Sequence, residues 1–169
     1  AENYNVNEAL FGVIAGPCHA EEVALERLSY LTLASCNLAL VEQMKEKLGC
    51  NYIQVSLSED VIGVEYAATL KNIYAIAIGI AHGLGYGDNF ISVLISSAMR
   101  EMKCFLKHIG KKKRNINNSA YLGDLLVTCY SIFSRNRMLG NMIGKGYTVK
   151  AALIEMTMIA EGYYGAKTI

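Results

Sequence analysis

The first third of the chain alternates apolar runs with short polar intervals. Leu10 to Ala15 reads LFGVIA, partly β-branched, and stops at Gly16-Pro17 as a buried strand does. A helix from about His19 to Glu26 follows. YLTLA at Tyr30 to Ala34 predicts a second strand, Asn37 to Leu48 a short helix, and YIQVS at Tyr52 to Ser56 a third strand. Strands that alternate with helices predict an α/β layer. Beyond about residue 60 a helical period takes over. Ser58 is read as the cap of a long helix that runs to about His82, and Asp88 with Asn89 opens another. In the latter, Ile91, Leu94, Ile95, Ala98, Met99, Met102, Phe105, Leu106 and Ile109 recur at spacings of three and four, with Arg100, Glu101, Lys103 and Lys107 on the opposite face. Shorter helices are expected at 119–127, 134–143, 149–159 and from Glu161 onward, so the chain is mainly α with an α/β front.

With 169 residues, 53% of them hydrophobic, the chain can bury a core of one or two small domains, since about two-thirds of its unfolded surface should leave water. A net charge of +1 argues against a nucleic acid partner. The most apolar stretch, Val61 to Gly85, is interrupted by Glu65, Lys71 and His82. It reads as a core helix, and no membrane span is expected. Cys18, Cys36, Cys50, Cys104 and Cys129 are scattered without a CxxC pair, which fits a reducing, cytoplasmic setting. His19, His82 and His108 lack ligand spacing, so no metal is expected. Met99, Met102, Met138, Met142, Met156 and Met158 fall at helical spacings and read as core filler. The chain starts at Ala1 with no signal peptide, which fits a fragment or a trimmed chain.

Lys71 stands in GVEYAATLKNIYAIAIGIA, a helix that is otherwise nearly all apolar. Burying an ammonium without a partner is costly. Glu65 lies about 120° round the axis, so a simple i, i+4 pair is excluded. Position alone leaves a working ammonium and a snorkelling stem equally open. In GDLLVTCYSIFSRNR, Asp124 and Thr128 share a helical face, and Ser134 caps a helix that begins with Arg135 and Asn136. Such a start, with free N–H groups and a guanidinium beside it, suits an anion. The residues by themselves favour an ordinary cap with two surface arginines. The basic run Lys111 to Arg114 reads as a solvated loop. The glycines of Gly83-Leu-Gly-Tyr-Gly87 read as a turn between helices, because the run leaves a helix instead of a strand.

Five blocks together change these odds: GPCHAEEVA from Gly16, GVEYAATLKNIYAIAIGIAHGLGYGDN from Gly63, GDLLVTC from Gly123, SRNR from Ser134 and AEGYYGAK from Ala160. In order and spacing they resemble the NAD(P)-dependent glycerol-3-phosphate dehydrogenases of the bacterial type. The resemblance implies an all-α substrate domain at 60–169, like the C-terminal domain of 6-phosphogluconate dehydrogenase. Before it, 1–59 would be the last strands of a Rossmann-type sheet. It implies reversible reduction of dihydroxyacetone phosphate to sn-glycerol 3-phosphate, for glycerophospholipid synthesis, with NAD or NADP as cofactor. Lys71 would then be the proton donor or acceptor. Gly16, Cys18, Asn72, Asp124 and Thr128 would meet the substrate, Ser134, Arg135 and Asn136 would hold its phosphate, and Ala20, Arg135 and Glu161 would approach the cofactor.

Two positions depart from the family pattern: Cys18 stands where serine is usual, and the end reads EGYYGAK instead of the commoner EGVxTA form. A thiol is the poorer hydrogen-bond donor. The family's glycine-rich strand-turn-helix and its second lysine have no counterpart in these residues, so the chain alone is expected to be inactive. The partner implied is the small-molecule substrate, and a homodimer is allowed. The competing readings are a sister dehydrogenase acting on another hydroxy acid and a helical binding or dimerisation module.

Overall fold

The computed structural model describes residues 7–110 and 112–169, and these fall into two compact units. One unit takes the described residues up to Tyr66 together with Lys112–Asp124; the other takes the described residues of 67–110 and Leu125–Ile169.

The first unit is built on a sheet of order β1-β2-β3, formed by β1 (Val13–Ala15), β2 (Ser29–Ala34) and β3 (Ile53–Ser58). β1 runs antiparallel to β2, with Val13 opposite Ala34, whereas β2 and β3 are parallel, with Ser29 opposite Ile53. A parallel pair needs a crossover. Helix α2 (Leu38–Leu48) supplies it, and its start is fixed by the Asn37 side chain, which accepts from the Leu40 N–H at 3.3 Å. The short α1 (Ala20–Ala24) lies between β1 and β2. Leu33, Ala34, Val41 and Val64 form the buried core here. The first strand is shorter than the apolar run suggested. Glu8–Leu10 is a 3-10 turn, and Leu10 and Phe11 are exposed.

The second unit is helical. Its axis is α3 (Val61–Gly83), which buries Ala67, Leu70, Tyr74, Ala75, Ile78 and Ala81, one face repeating at three and four residues. By length and composition α3 could cross a membrane, with a mean hydropathy of 1.3 over its most apolar window. Here that repeating face is used in packing, while Ile62 and Tyr66 are exposed. The turn Leu84–Gly87, with Gly85 at a φ of +89°, leads into α4 (Asp88–Ile109), which buries Ile91, Ile95, Ala98, Met99, Met102 and Leu106. Helices α5 (Asp124–Tyr130), α6 (Arg135–Gly144), α7 (Val149–Glu155) and α8 (Glu161–Thr168) complete the order. A cluster of Leu139, Ala152 and Ala160, surrounded by Ile76, Met142, Ile143, Leu153, Met156 and Tyr163, binds α6, α7 and α8 to α3. Met138 and Met158 do not serve as core filler; both are exposed.

Helices α3 and α6 touch backbone to backbone. A Cβ on Gly79 would collide with the Arg137 carbonyl, one on Gly140 with that of Ile76, and one on Gly144 with that of Ile80. The contacts advance together along both chains, so the helices run parallel. Gly140→Ala should therefore cost about 2 kcal/mol, the scale of forced overpacking. An unchanged urea midpoint would show that the helices can part without penalty.

Candidate functional site

In the first unit, Gly16 and Asp124 are brought together. The Gly16 N–H donates to Asp124 Oδ2 at 3.1 Å, and Asp124 is 1% exposed. Gly16 adopts a φ of +130°, and a Cβ there would meet the Tyr30 carbonyl at 2.5 Å, so only glycine fits this close approach. Cys18 lies near the same carboxylate. Burial pushes its thiol pKa up; a hydrogen bond with Ser29 lowers it, and the Asp124 charge raises it further. The group therefore stays a thiol at neutral pH. Ala20 is exposed at the first position of α1, offering its backbone and a methyl group.

In the second unit, Lys71 and Asn72 are partly buried on α3. The Asn72 amide donates to Glu161 Oε2 at 3.3 Å. Glu161 is exposed at the first position of α8, where its carboxylate meets that amide. The next residue, Gly162, donates its N–H to Asn136 Oδ1 at 2.8 Å, and a Cβ on it would collide with the Asn72 carbonyl. The start of α8 is thus clamped between α3 and α6. Ser134 caps α6 by accepting from the Arg137 N–H at 3.3 Å, which leaves the serine proton to donate elsewhere. Arg135 follows, partly buried, and Asn136 is 7% exposed. Since Asn136 Oδ1 is bonded to Gly162, its NH2 end is the one that can serve an anion. Thr128 lies one turn beyond Asp124 on α5 and is 4% exposed.

The neighbourhood of Lys71 can be read from Cys129. Burial pushes this fully buried thiol up to about 12, while the charges of Arg137 and Lys71 pull the other way. Lys71 and Arg137 therefore lie close enough to Cys129 for their fields to be felt.

Sequence reasoning missed Asp60. Its Oδ1 accepts from the Gly63 N–H at 3.2 Å, so Asp60 rather than Ser58 caps α3; the Ser58 hydroxyl instead accepts from the Asp60 N–H at 3.1 Å. Aspartate directly ahead of an apolar helix is a legible cap signal. Of the basic run, Lys111 lies outside the described residues; the solvated-loop reading holds for the exposed Lys112 and Lys113 and fails for Arg114. Arg114 Nε lies 2.6 Å from Asp60 Oδ2, with only 7% of the arginine side chain exposed. The Tyr121 hydroxyl donates to the same oxygen at 2.7 Å. No pattern in the sequence pointed to that tyrosine.

Residues 60–169 match the model of the NAD-dependent glycerol-3-phosphate dehydrogenase C-terminus, which is more than half of the chain. A glycerol-3-phosphate dehydrogenase of the NAD(P)+ type from Chlorobium phaeobacteroides is 38% identical over 97% of this chain and 49% of its own length. Among solved structures, the glycerol-3-phosphate dehydrogenase of Coxiella burnetii aligns with a TM-score of 0.89 at 36% identity, covering 92% of this chain and 48% of that one. The DsGPDH of Dunaliella salina aligns with a TM-score of 0.86 at 27% identity, covering 92% of this chain and 28% of its own. The chain spans about half the length of the curated relatives it matches. On this match and this fold, the chain belongs to the NAD-dependent glycerol-3-phosphate dehydrogenase family, as a member of its C-terminal module.

Proposed function

We propose that this chain is the substrate-binding part of an enzyme that reversibly reduces dihydroxyacetone phosphate to sn-glycerol 3-phosphate with NADH or NADPH. That step feeds glycerophospholipid synthesis in the cytoplasm. Residues 1–59 are the end of the dinucleotide-binding domain and 60–169 the helical substrate domain. The observation that carries the reading is the start of α6, where a capping serine, a partly buried arginine and a buried asparagine follow one another. A phosphate dianion is matched by such a set: a helix N-terminus, donors, and a planar guanidinium fork.

Three of these residues would meet the cofactor. Arg135 offers a cation for an anionic oxygen, exposed Glu161 an acceptor for a hydroxyl or amide, and exposed Ala20 a close backbone approach. When bound, the nicotinamide supplies or accepts the hydride. As the ketone is reduced, negative charge builds on its oxygen, and Lys71 places its ammonium there and gives up a proton. Asn72, whose amide is bonded to Glu161, turns its carbonyl oxygen toward a substrate hydroxyl. The Thr128 hydroxyl and the Asp124 carboxylate orient the remaining polar groups, together with the Gly16 backbone. Cys18, held as a thiol, is a weak donor there. The phosphate, gripped by Ser134, Arg135 and Asn136, fixes the ketone in place.

The test is made on the full-length polypeptide that carries this chain. It should oxidise NADH or NADPH with dihydroxyacetone phosphate and show no comparable turnover with phosphogluconate or other hydroxy-acid substrates. Arg135→Lys should raise KM about tenfold with little change in kcat, because the charge stays and the fork is lost. Absence of turnover with dihydroxyacetone phosphate would sink the assignment, and an unaltered KM would remove Arg135 from the phosphate.

A further inference from the structure

We infer that Arg114 and Tyr121 are positioning residues, forming with Asp60 a lock that holds the turn delivering Asp124 to the substrate. The inference rests on the dehydrogenase reading above. Asp60, 8% exposed, is met from several sides: Arg114 Nε at 2.6 Å and Nη2 at 3.1 Å, the Tyr121 hydroxyl at 2.7 Å, and the Gly63 N–H at 3.2 Å. Arginine and carboxylate thus meet fork to fork, the geometry that fixes orientation most firmly. The cluster is closely packed, since a Cβ on Gly63 would collide with both the Asp60 carboxylate and the Arg114 guanidinium.

Tyr121 belongs to a π-helical turn, Ser119–Gly123, whose next residue is Asp124. Turns of this kind are uncommon and gather at functional sites. The Asp124 backbone N–H donates to the carbonyls of Ser119 and Tyr121, and its side chain accepts the Gly16 N–H at 3.1 Å. Asp124 is therefore held at both ends. Its backbone is tied to Tyr121, whose ring is tied to Asp60, and its carboxylate is tied to the tight turn at Gly16. The chemistry proposed for the reaction has no use for Asp60, Arg114 or Tyr121 themselves. Their arrangement fixes where the Asp124 oxygens stand, and a substrate hydroxyl reads that position.

The experiment uses the full-length enzyme and dihydroxyacetone phosphate. Tyr121→Phe keeps the ring and removes the bond to Asp60; Arg114→Lys keeps the charge, loses the fork, and serves should the first variant not fold. Each should raise KM about tenfold, the scale of losing a hydrogen bond to a charged group, while kcat stays within about threefold. In an Asp124→Asn background the effect of either change on KM should disappear, because residues that act through one another are not additive. A lowered melting temperature with unchanged KM would overturn the positioning role, as would the same KM factor in both backgrounds. Wild-type enzyme inactive on dihydroxyacetone phosphate would overturn the dehydrogenase reading and the lock together. Active wild type with insensitive variants would overturn the lock alone.

Discussion

Replacing Lys71 by alanine in the full-length enzyme should lower turnover at least about a hundredfold, the scale on which loss of a group that stabilises a developing oxyanion is felt. Lys71 sits partly buried on a helix whose backbone abuts that of α6, so its ammonium is carried on a rigid support. The Cys129 thiol does not neutralise it. Burial pushes Cys129 up to about 12 even against the pull of Arg137 and Lys71, so at neutral pH it carries no charge. Lys71→Met provides the control for packing, since it keeps most of the stem and removes the charge. Both variants should lose kcat to a similar degree, with the methionine protein keeping the urea midpoint of the parent. Near-normal turnover in either would remove Lys71 from the chemistry.

Asp60→Asn should destabilise the fold by about 3 kcal/mol at neutral pH, because breaking one side of a buried ion pair leaves the other charge uncompensated. The variant retains shape and loses charge, while Arg114 stays enclosed with 7% of its side chain exposed. Burial pushes the Asp60 carboxyl pKa up, but the bonds from Arg114 and Tyr121, the arginine charge and the Gly63 N–H together leave it below the ordinary carboxylate value. A carboxyl whose folded pKa is depressed contributes stability above its unfolded pKa, near about 4, and loses it as pH falls through the folded value. Denaturant titrations should therefore show a constant gap between wild type and Asp60→Asn at neutral pH. Below about pH 4 the gap should close. A gap that persists unchanged into acid would mean that the carboxylate charge is not what stabilises the fold.

Elements with strong periodicity were readable from the residues. The stripe of α4 predicted its start at Asp88, and the residue types around Ser134 predicted both the cap and the helix it opens. Where local signals competed, tertiary contacts decided. Ser58, Glu59 and Asp60 directly precede α3, and Asp60 takes the cap because it also meets Arg114 and Tyr121. The expected single helix at 119–127 is instead a π-helical turn followed by α5, and the turn places Tyr121 on Asp60. Helix α7 stops at Glu155, where Met156 turns to an extended ψ of 127°, although apolar residues continue to Ile159. At the candidate site, the residue types of Lys71, Asp124 and Ser134–Asn136 were visible in short motifs. The bonds that set them were not, since Gly16 to Asp124, Asn72 to Glu161 and Asn136 to Gly162 all join residues far apart in the chain.

The glycine-faced crossing of α3 and α6 leaves no cushion of side chains between the two main chains, because Gly79, Gly140 and Gly144 each lie against a carbonyl of the other helix. Side-chain layers yield by rotamer exchange, but abutting backbones cannot. Any force that tilts α6 must carry α3 along with it. The spacing between the lysine on one rod and the arginine-tipped end of the other is thereby set like the span of a riveted caliper. Natural variation in reach would have to come from the length of side chains at the two tips, since the hinge itself cannot open.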